Sequence, residues 1–333
     1  MRVDRSRCIA RIVFAVAVCL TLVSTAGAAE TFDRMVIFGD SLSDPGNHFV
    51  EFGITAQPPY EPLPDFPYGI GGHHFSNGPT WAERLTRALA MPTSGKPALR
   101  APGVFTNYAV GRARARAGAP EFSQFDLGTQ VQRFLADFGP GAPSNALYVI
   151  WIGANDFDDA LAALQTNPAE TFAILDAGVR AIAYNVGMLA ASGARNFLIL
   201  NLPDPTFAPI VRALDPEVQT IVRQLWGMYN GAIDGAVAQL GALPGVRLDR
   251  FDVNAVFTEI VATHGDGELS NVTDPCLSFG MTTDAVCTHP SQYLFWDGAH
   301  PTTTGHRLIT EAALRLFESA SESHTDDALR TRR

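Results

Sequence analysis

Apolar runs of strand length alternate along the chain with longer segments of helical period. Met35 to Phe38, Val104 to Val110, Ala146 to Ile152, Asn196 to Leu202 and Val246 to Phe251 read as five strands, partly β-branched or aromatic and mostly stopped by Gly or Pro. Between them, Thr80 to Ala90, Thr129 to Phe138, Ala169 to Ala191 and Pro216 to Leu240 repeat their apolar positions as helices do. Asp215-Pro216 supplies an N-cap and a first-turn proline, and Ser192-Gly193 supplies a stop. Such alternation predicts an open parallel sheet covered by helices on both faces. Ligands in these sheets bind beyond the carboxyl ends of the strands, so the polar residues that follow each strand are the ones to inspect.

Two long stretches fit neither period. Phe49 to Ser76 is rich in Pro, Gly and aromatics, and Gly265 to Tyr293 holds a cysteine pair; both read as insertions that wall a site. The aromatics Phe49, Phe52, Tyr60, Phe66, Tyr68 and Phe75 either floor an acyl pocket or pack the loop. The polar tail 319–333 reads as unstructured.

The first 28 residues change the count of what folds. Arg2, Arg5, Arg7 and Arg11 precede an apolar run from Ile12 to Val23, and Ala26-Gly27-Ala28 supplies small residues for cleavage, the layout of a secretory signal peptide cut near Ala28. The run is shorter than the about 20 apolar residues a membrane span needs, and no other stretch of the sequence reads as a span. The expected product is one catalytic domain over 29–318, secreted or periplasmic. Losing the leader removes four arginines and one aspartate and takes the net charge from −10 to −13, which argues against nucleic acid as a partner. Only Cys276 and Cys287 then remain. In an oxidising compartment such a pair reads as a disulfide rather than two free thiols. Asp284 and His289 beside them do not complete a zinc-ligand spacing.

Candidate chemistry gathers at the strand ends. Ser41, in FGDSLSDPGN, follows a strand and a glycine. Its surroundings are not Gly-x-Ser-x-Gly, Ser43 is a rival, and a polar turn is the plainer reading. A base for it lies in WDGAHPT, where Asp297 three residues before His300 can hold one ring nitrogen and leave the other for a serine; read alone, the segment is equally a helix start at Pro301. Oxyanion donors are sought in Asn155 of GANDF and the backbone N–H of Gly111 in NYAVGRA. Each of those is also a respectable turn or strand end. Asp40, Asp44 and Asp156 read as turn-holding carboxylates, His306 as structural, and Arg112, Arg114 and Arg116 as a solvated edge or a substrate-binding patch.

Taken in order, FGDSLSDPGN, NYAVGRA, GANDF and DGAHPT resemble the four sequence blocks of the GDSL, or SGNH, family of esterases, lipases and acylhydrolases, especially its secreted bacterial branch. The resemblance spans about Met35 to Phe317. It implies a flavodoxin-like three-layer α/β/α fold on a five-stranded parallel sheet. Carried over by position, it makes Ser41 the nucleophile, Asp297 and His300 its triad partners, and the N–H groups of Ser41 and Gly111 with the Asn155 amide the oxyanion hole. It implies hydrolysis of small-molecule or lipid carboxylic esters, in some members acyl transfer to an alcohol or sterol, with no metal or organic cofactor. Many relatives carry two glycines where this chain has Gly111-Arg112. Arg112 would then supply the N–H if the second position were the donor. The absence of a long amphipathic lid favours short, soluble acyl groups. A secreted binding module that keeps the fold without turnover is the rival of another class.

Overall fold

The computed structural model describes residues 32–118, 123–139, 141–164 and 166–330; the leader proposed over 1–28 lies outside them. Four strands, β1 (Arg34–Gly39), β2 (Ala146–Trp151), β3 (Asn196–Leu200) and β4 (Arg247–Phe251), pair in parallel in that order. Every residue of β2 is buried, as expected of a parallel strand covered on both faces. The helices are α1 (Asn47–Phe52), α2 (Trp81–Ala88), α3 (Leu127–Phe138), α4 (Ala154–Leu164), α5 (Pro168–Ala191), α6 (Pro209–Arg212), α7 (Pro216–Gly241), α8 (Val253–Thr263) and α9 (Thr303–Arg330). α5 contacts α3, α4 and α7, while α9 contacts α2 and α8, so the helices form two groups either side of the sheet. The architecture is the expected α/β one.

The fifth strand is the first correction. Val104 to Val110 runs along the free edge of β1, with Ile37 N–H on the Thr106 carbonyl and Tyr108 and Val110 N–H on the Ile37 and Gly39 carbonyls. Among the described residues its outer edge meets no other strand: Asn107 O accepts from Ala98 N–H and from the Asn47 amide. The segment therefore forms single bridges, not a ladder. Counting it as an edge, the order is that of a flavodoxin-like sheet, and β1 and β2 flank the point where connections reverse direction.

α5 is long and apolar enough by composition to cross a membrane, contrary to the expectation that no stretch outside the leader is. Its apolarity has another outlet, because Thr171, Leu175, Gly178, Ile182, Val186 and Leu189 form one buried stripe at helical spacing. α9 carries on through the polar residues 319–330, where no structure was expected; a helix propagates on its own backbone bonds once nucleated.

The two insertions pack on each other. β5 (Asn271–Pro275) and β6 (Tyr293–Phe295) make a small parallel pair. Cys276 and Cys287 are disulfide-bonded, and Cys276, Leu277, Tyr68 and Trp296 form a satellite core apart from the main one.

Candidate active site

Gly39 closes β1 where a side chain could not fit, since a Cβ there would lie 2.6 Å from the Trp151 carbonyl oxygen. The chain then turns, with Ser43 N–H on the Asp40 carbonyl. Asp44 binds the turn from inside. Its Oδ1 accepts from the N–H groups of Gly46 and Asn47, and its Oδ2 from those of His48 and Gly111. Burial pushes the Asp44 carboxyl up to about 6 against the pull of these four donors. Asp40, which accepts from Leu42 N–H, is pushed up to about 7 by the same burial, opposed by that bond and by His300. Ser43 is fully buried and its Oγ accepts from the Trp81 indole. Ser41 Oγ is the hydroxyl that lies 2.8 Å from His300 Nε2.

The partner segment folds locally. Trp296 N–H bonds the His300 carbonyl, and Asp297 Oδ1 accepts from the N–H groups of Ala299 and His300, so Asp297 builds the turn that presents the imidazole. His300 Nδ1 sits 2.8 Å from Asp297 Oδ2. A proton on Nδ1 satisfies that contact and leaves Nε2 as acceptor for the serine hydroxyl, the tautomer a general base needs. Phe75 packs against the imidazole ring at 5.5 Å.

The two sought donors part company. Asn155 opens α4 after Gly153, whose φ of 124° suits glycine. One amide hydrogen of Asn155 is on the Ala113 carbonyl at 2.9 Å, while the residue lines the same cavity as Ser41 and His300. Gly111 is otherwise engaged, because its N–H is spent on Asp44. Its lack of a side chain serves Phe75, whose ring a Cβ would strike at 2.0 Å. The next residue, Arg112, adopts φ 66° and borders the cavity. That conformation is the one for which a second glycine is suited.

Arg114 and Arg116 are neither a solvated edge nor a substrate patch. They hold Asp156 and Asp159 of α4, and Asp156 also accepts from the N–H groups of Ala115 and Arg116, which ties the Gly111 segment to the helix carrying Asn155. His74 is buried between the Gly71 carbonyl and Glu83. His306 is buried, with its ring pushed down to about 3 by burial and neighbouring cations.

A cavity of about 180 Å³ opens beside Ser41. Its walls are Phe157 and Leu161 of α4, Leu202, Phe207 and Ile210 beyond β3, Phe257 of α8 and Phe295 of β6. From the aromatic-rich insertion Leu63 and Pro64 reach it; none of the insertion's aromatics lines it, and Phe75 packs on the His300 ring instead.

The sequence matches the family model for GDSL-like lipase/acylhydrolase over residues 35–313. The chain belongs to this family, and its class is that of carboxylic ester hydrolases. It is 28% identical to the thermolabile hemolysin of Vibrio parahaemolyticus over 88% of its own length, spanning 66% of that protein. It is 26% identical to the phosphatidylcholine-sterol acyltransferase of Aeromonas hydrophila over 90% of this chain and 94% of that one. GDSL esterase/lipase 6 of Arabidopsis thaliana is 25% identical, covering 88% and 90% of the two chains. Among solved structures, a variant of an acetyl xylan esterase from Geobacillus stearothermophilus aligns at TM-score 0.45 and 15% identity over 85% of this chain and 94% of that one. Phospholipase A1 from Streptomyces albidoflavus aligns at TM-score 0.45 and 17% identity, over 85% and 99%.

Proposed function

We propose that the protein is an exported serine ester hydrolase acting through an acyl-enzyme on Ser41. The observation that carries this is the unbroken contact from Ser41 Oγ through both ring nitrogens of His300 to Asp297, each step 2.8 Å. His300 Nε2 takes the hydroxyl proton as Ser41 Oγ bonds to the ester carbonyl carbon, and Asp297 holds the imidazolium. The carbonyl oxygen gains the negative charge and is met by the Ser41 N–H and the second amide hydrogen of Asn155. His300 gives the proton to the departing alcohol, then takes another from the attacking water and returns it to Ser41 Oγ as the acyl-enzyme bond breaks and the acid is freed. Export is supported by the leader's composition and by the disulfide.

The apolar cavity favours an acyl chain longer than the acetyl or short groups suggested by the missing lid. Each methylene it buries contributes about 0.8 kcal/mol, roughly fourfold in kcat/KM. On p-nitrophenyl esters, kcat/KM should climb from acetate over several carbons before levelling, and a series that falls from acetate onward refutes the cavity's role. Ser41→Ala should abolish turnover and labelling by a fluorophosphonate, whereas Ser43→Ala should keep both in the folded protein. Wild-type activity in Ser41→Ala refutes the nucleophile.

Acyl transfer is the second reading, favoured by the likeness to the Aeromonas acyltransferase along nearly all of that chain. The acyl-enzyme is common to both. Product partition between acid and new ester, measured with a sterol or alcohol added, separates them.

A further inference from the structure

The Asp297 carboxylate is fully buried, and it does not rely on its own turn alone. Its Oδ2, the oxygen nearer His300 Nδ1, also accepts a hydrogen bond of 2.9 Å from the hydroxyl of Tyr68. Tyr68 lies 229 residues earlier, in the insertion between α1 and α2. We propose that Tyr68 is a positioning residue of the active site, holding the Asp297 carboxylate in plane so that His300 presents Nε2 to Ser41. The inference rests on the serine-hydrolase reading above.

Tyr68 is placed to do this with little freedom. Its ring is fully buried and meets Tyr60 and Trp296 edge to face, at 5.5 and 5.7 Å. Its backbone is pinned on both sides: Tyr68 N–H bonds the His74 carbonyl, and its own carbonyl accepts from Gly71 and His73. His74 in turn grips Gly71 and Glu83 of α2. Burial and the neighbouring carboxylate hold the phenol far above its ordinary pKa, so it keeps its proton to donate, and the acceptor in front of it is Asp297.

The chemical consequence has a sign. A hydrogen bond donated to a carboxylate stabilises its charged form and lowers its basicity. Without it, Asp297 pulls harder on the His300 Nδ1–H, and the acid limb of activity moves up. Loss of orientation lowers kcat as well, by roughly tenfold for a charge-assisted bond. Asp40, just beyond β1, and His306 of α9 also interact electrostatically with His300, and substitution at Tyr68 leaves both in place.

The test compares Tyr68→Phe, Tyr148→Phe and wild type by fluorophosphonate labelling rate and ester kcat across pH 4 to 9. Tyr148 is a control, a buried tyrosine of β2 whose hydroxyl bonds the Pro143 carbonyl before the start of that strand. Tyr68→Phe should lower kcat roughly tenfold with KM little changed and shift the acid limb up by about half a pH unit or more. Tyr148→Phe should move neither, although both variants lose some thermal stability. Should Tyr68→Phe fail to fold, 3-fluorotyrosine at position 68 keeps the shape and donates more strongly, and the acid limb should then move down. An unshifted limb in Tyr68→Phe or in the 3-fluorotyrosine protein, with wild type labelling normally, overturns the role of Tyr68 alone. Absence of labelling in wild type overturns the serine-hydrolase reading itself.

Discussion

The serine and the histidine of this site stand on different foundations. Ser41 is held by a turn cut into the main core, with Asp44 binding four N–H groups and Gln130 of α3 bonding both the N–H and the carbonyl of Gly39. His300 and Asp297 stand on the satellite core, where two insertions, a disulfide and Tyr68 meet. The chain beside them is stitched by Cys276 N–H on the Phe295 carbonyl and Leu277 N–H on the Trp296 carbonyl, one residue before Asp297. One half of the site shares the fate of the whole sheet. The other depends on a small cluster that can loosen by itself, since few buried contacts mean a low cost of local opening.

That contrast can be broken from either side. Asp44→Ala leaves buried donors of Gly46, Asn47, His48 and Gly111 without an acceptor, and should cost about 4 kcal/mol of global stability in urea unfolding. Activity should be lost together with far-UV circular dichroism, because turn and sheet melt as one. Cys276→Ser with Cys287→Ser should cost roughly 3 kcal/mol on the loop-entropy account. Here activity should disappear at a lower urea concentration than the dichroism does, and coincident curves would show that the satellite core is not separate.

The smallest effect is set by pH. His74 has acceptors at both ring nitrogens, the Gly71 carbonyl at 2.6 Å and Glu83 at 2.8 Å. A neutral imidazole can donate only once. Burial opposes the charge, but the bonds to Glu83 and Gly71 outweigh it and raise the His74 pKa above 6.5. A raised folded-state pKa gives stability that is whole below the unfolded value and fades as pH climbs through the folded one. His74→Gln should therefore cost about 2 kcal/mol near pH 5.5, and progressively less in alkaline buffer. A difference that does not change with pH would mean the ring is neutral.

Much of this was legible in the residues. The helices at 80–90, 129–138, 169–191 and 216–240 fell within a few positions of those observed, since their buried stripes and caps are local. α4 was missed because GANDF looks like a turn after a strand; Gly-Ala-Asn-Asp is also how a helix begins, with a carboxylate, Asp156, in its first turn. α8 and the β5–β6 pair were missed too, the latter because its pairing follows from two insertions meeting, which no periodicity encodes.

What the sequence determined by itself is the order of the blocks and the chemistry available: a serine after β1, an aspartate and histidine three apart, an asparagine after β2. These are properties of residue type and spacing, and they suffice for the family. Only the tertiary structure decided which atoms serve. It set Ser41 and not Ser43 against His300, turned the Gly111 N–H to Asp44, drew Arg114 and Arg116 onto carboxylates, and brought the Tyr68 hydroxyl to Asp297. The reason is that each of these choices is made by a partner more than 35 residues distant in the chain, and a hydrogen bond is specified by angstroms that only packing can supply.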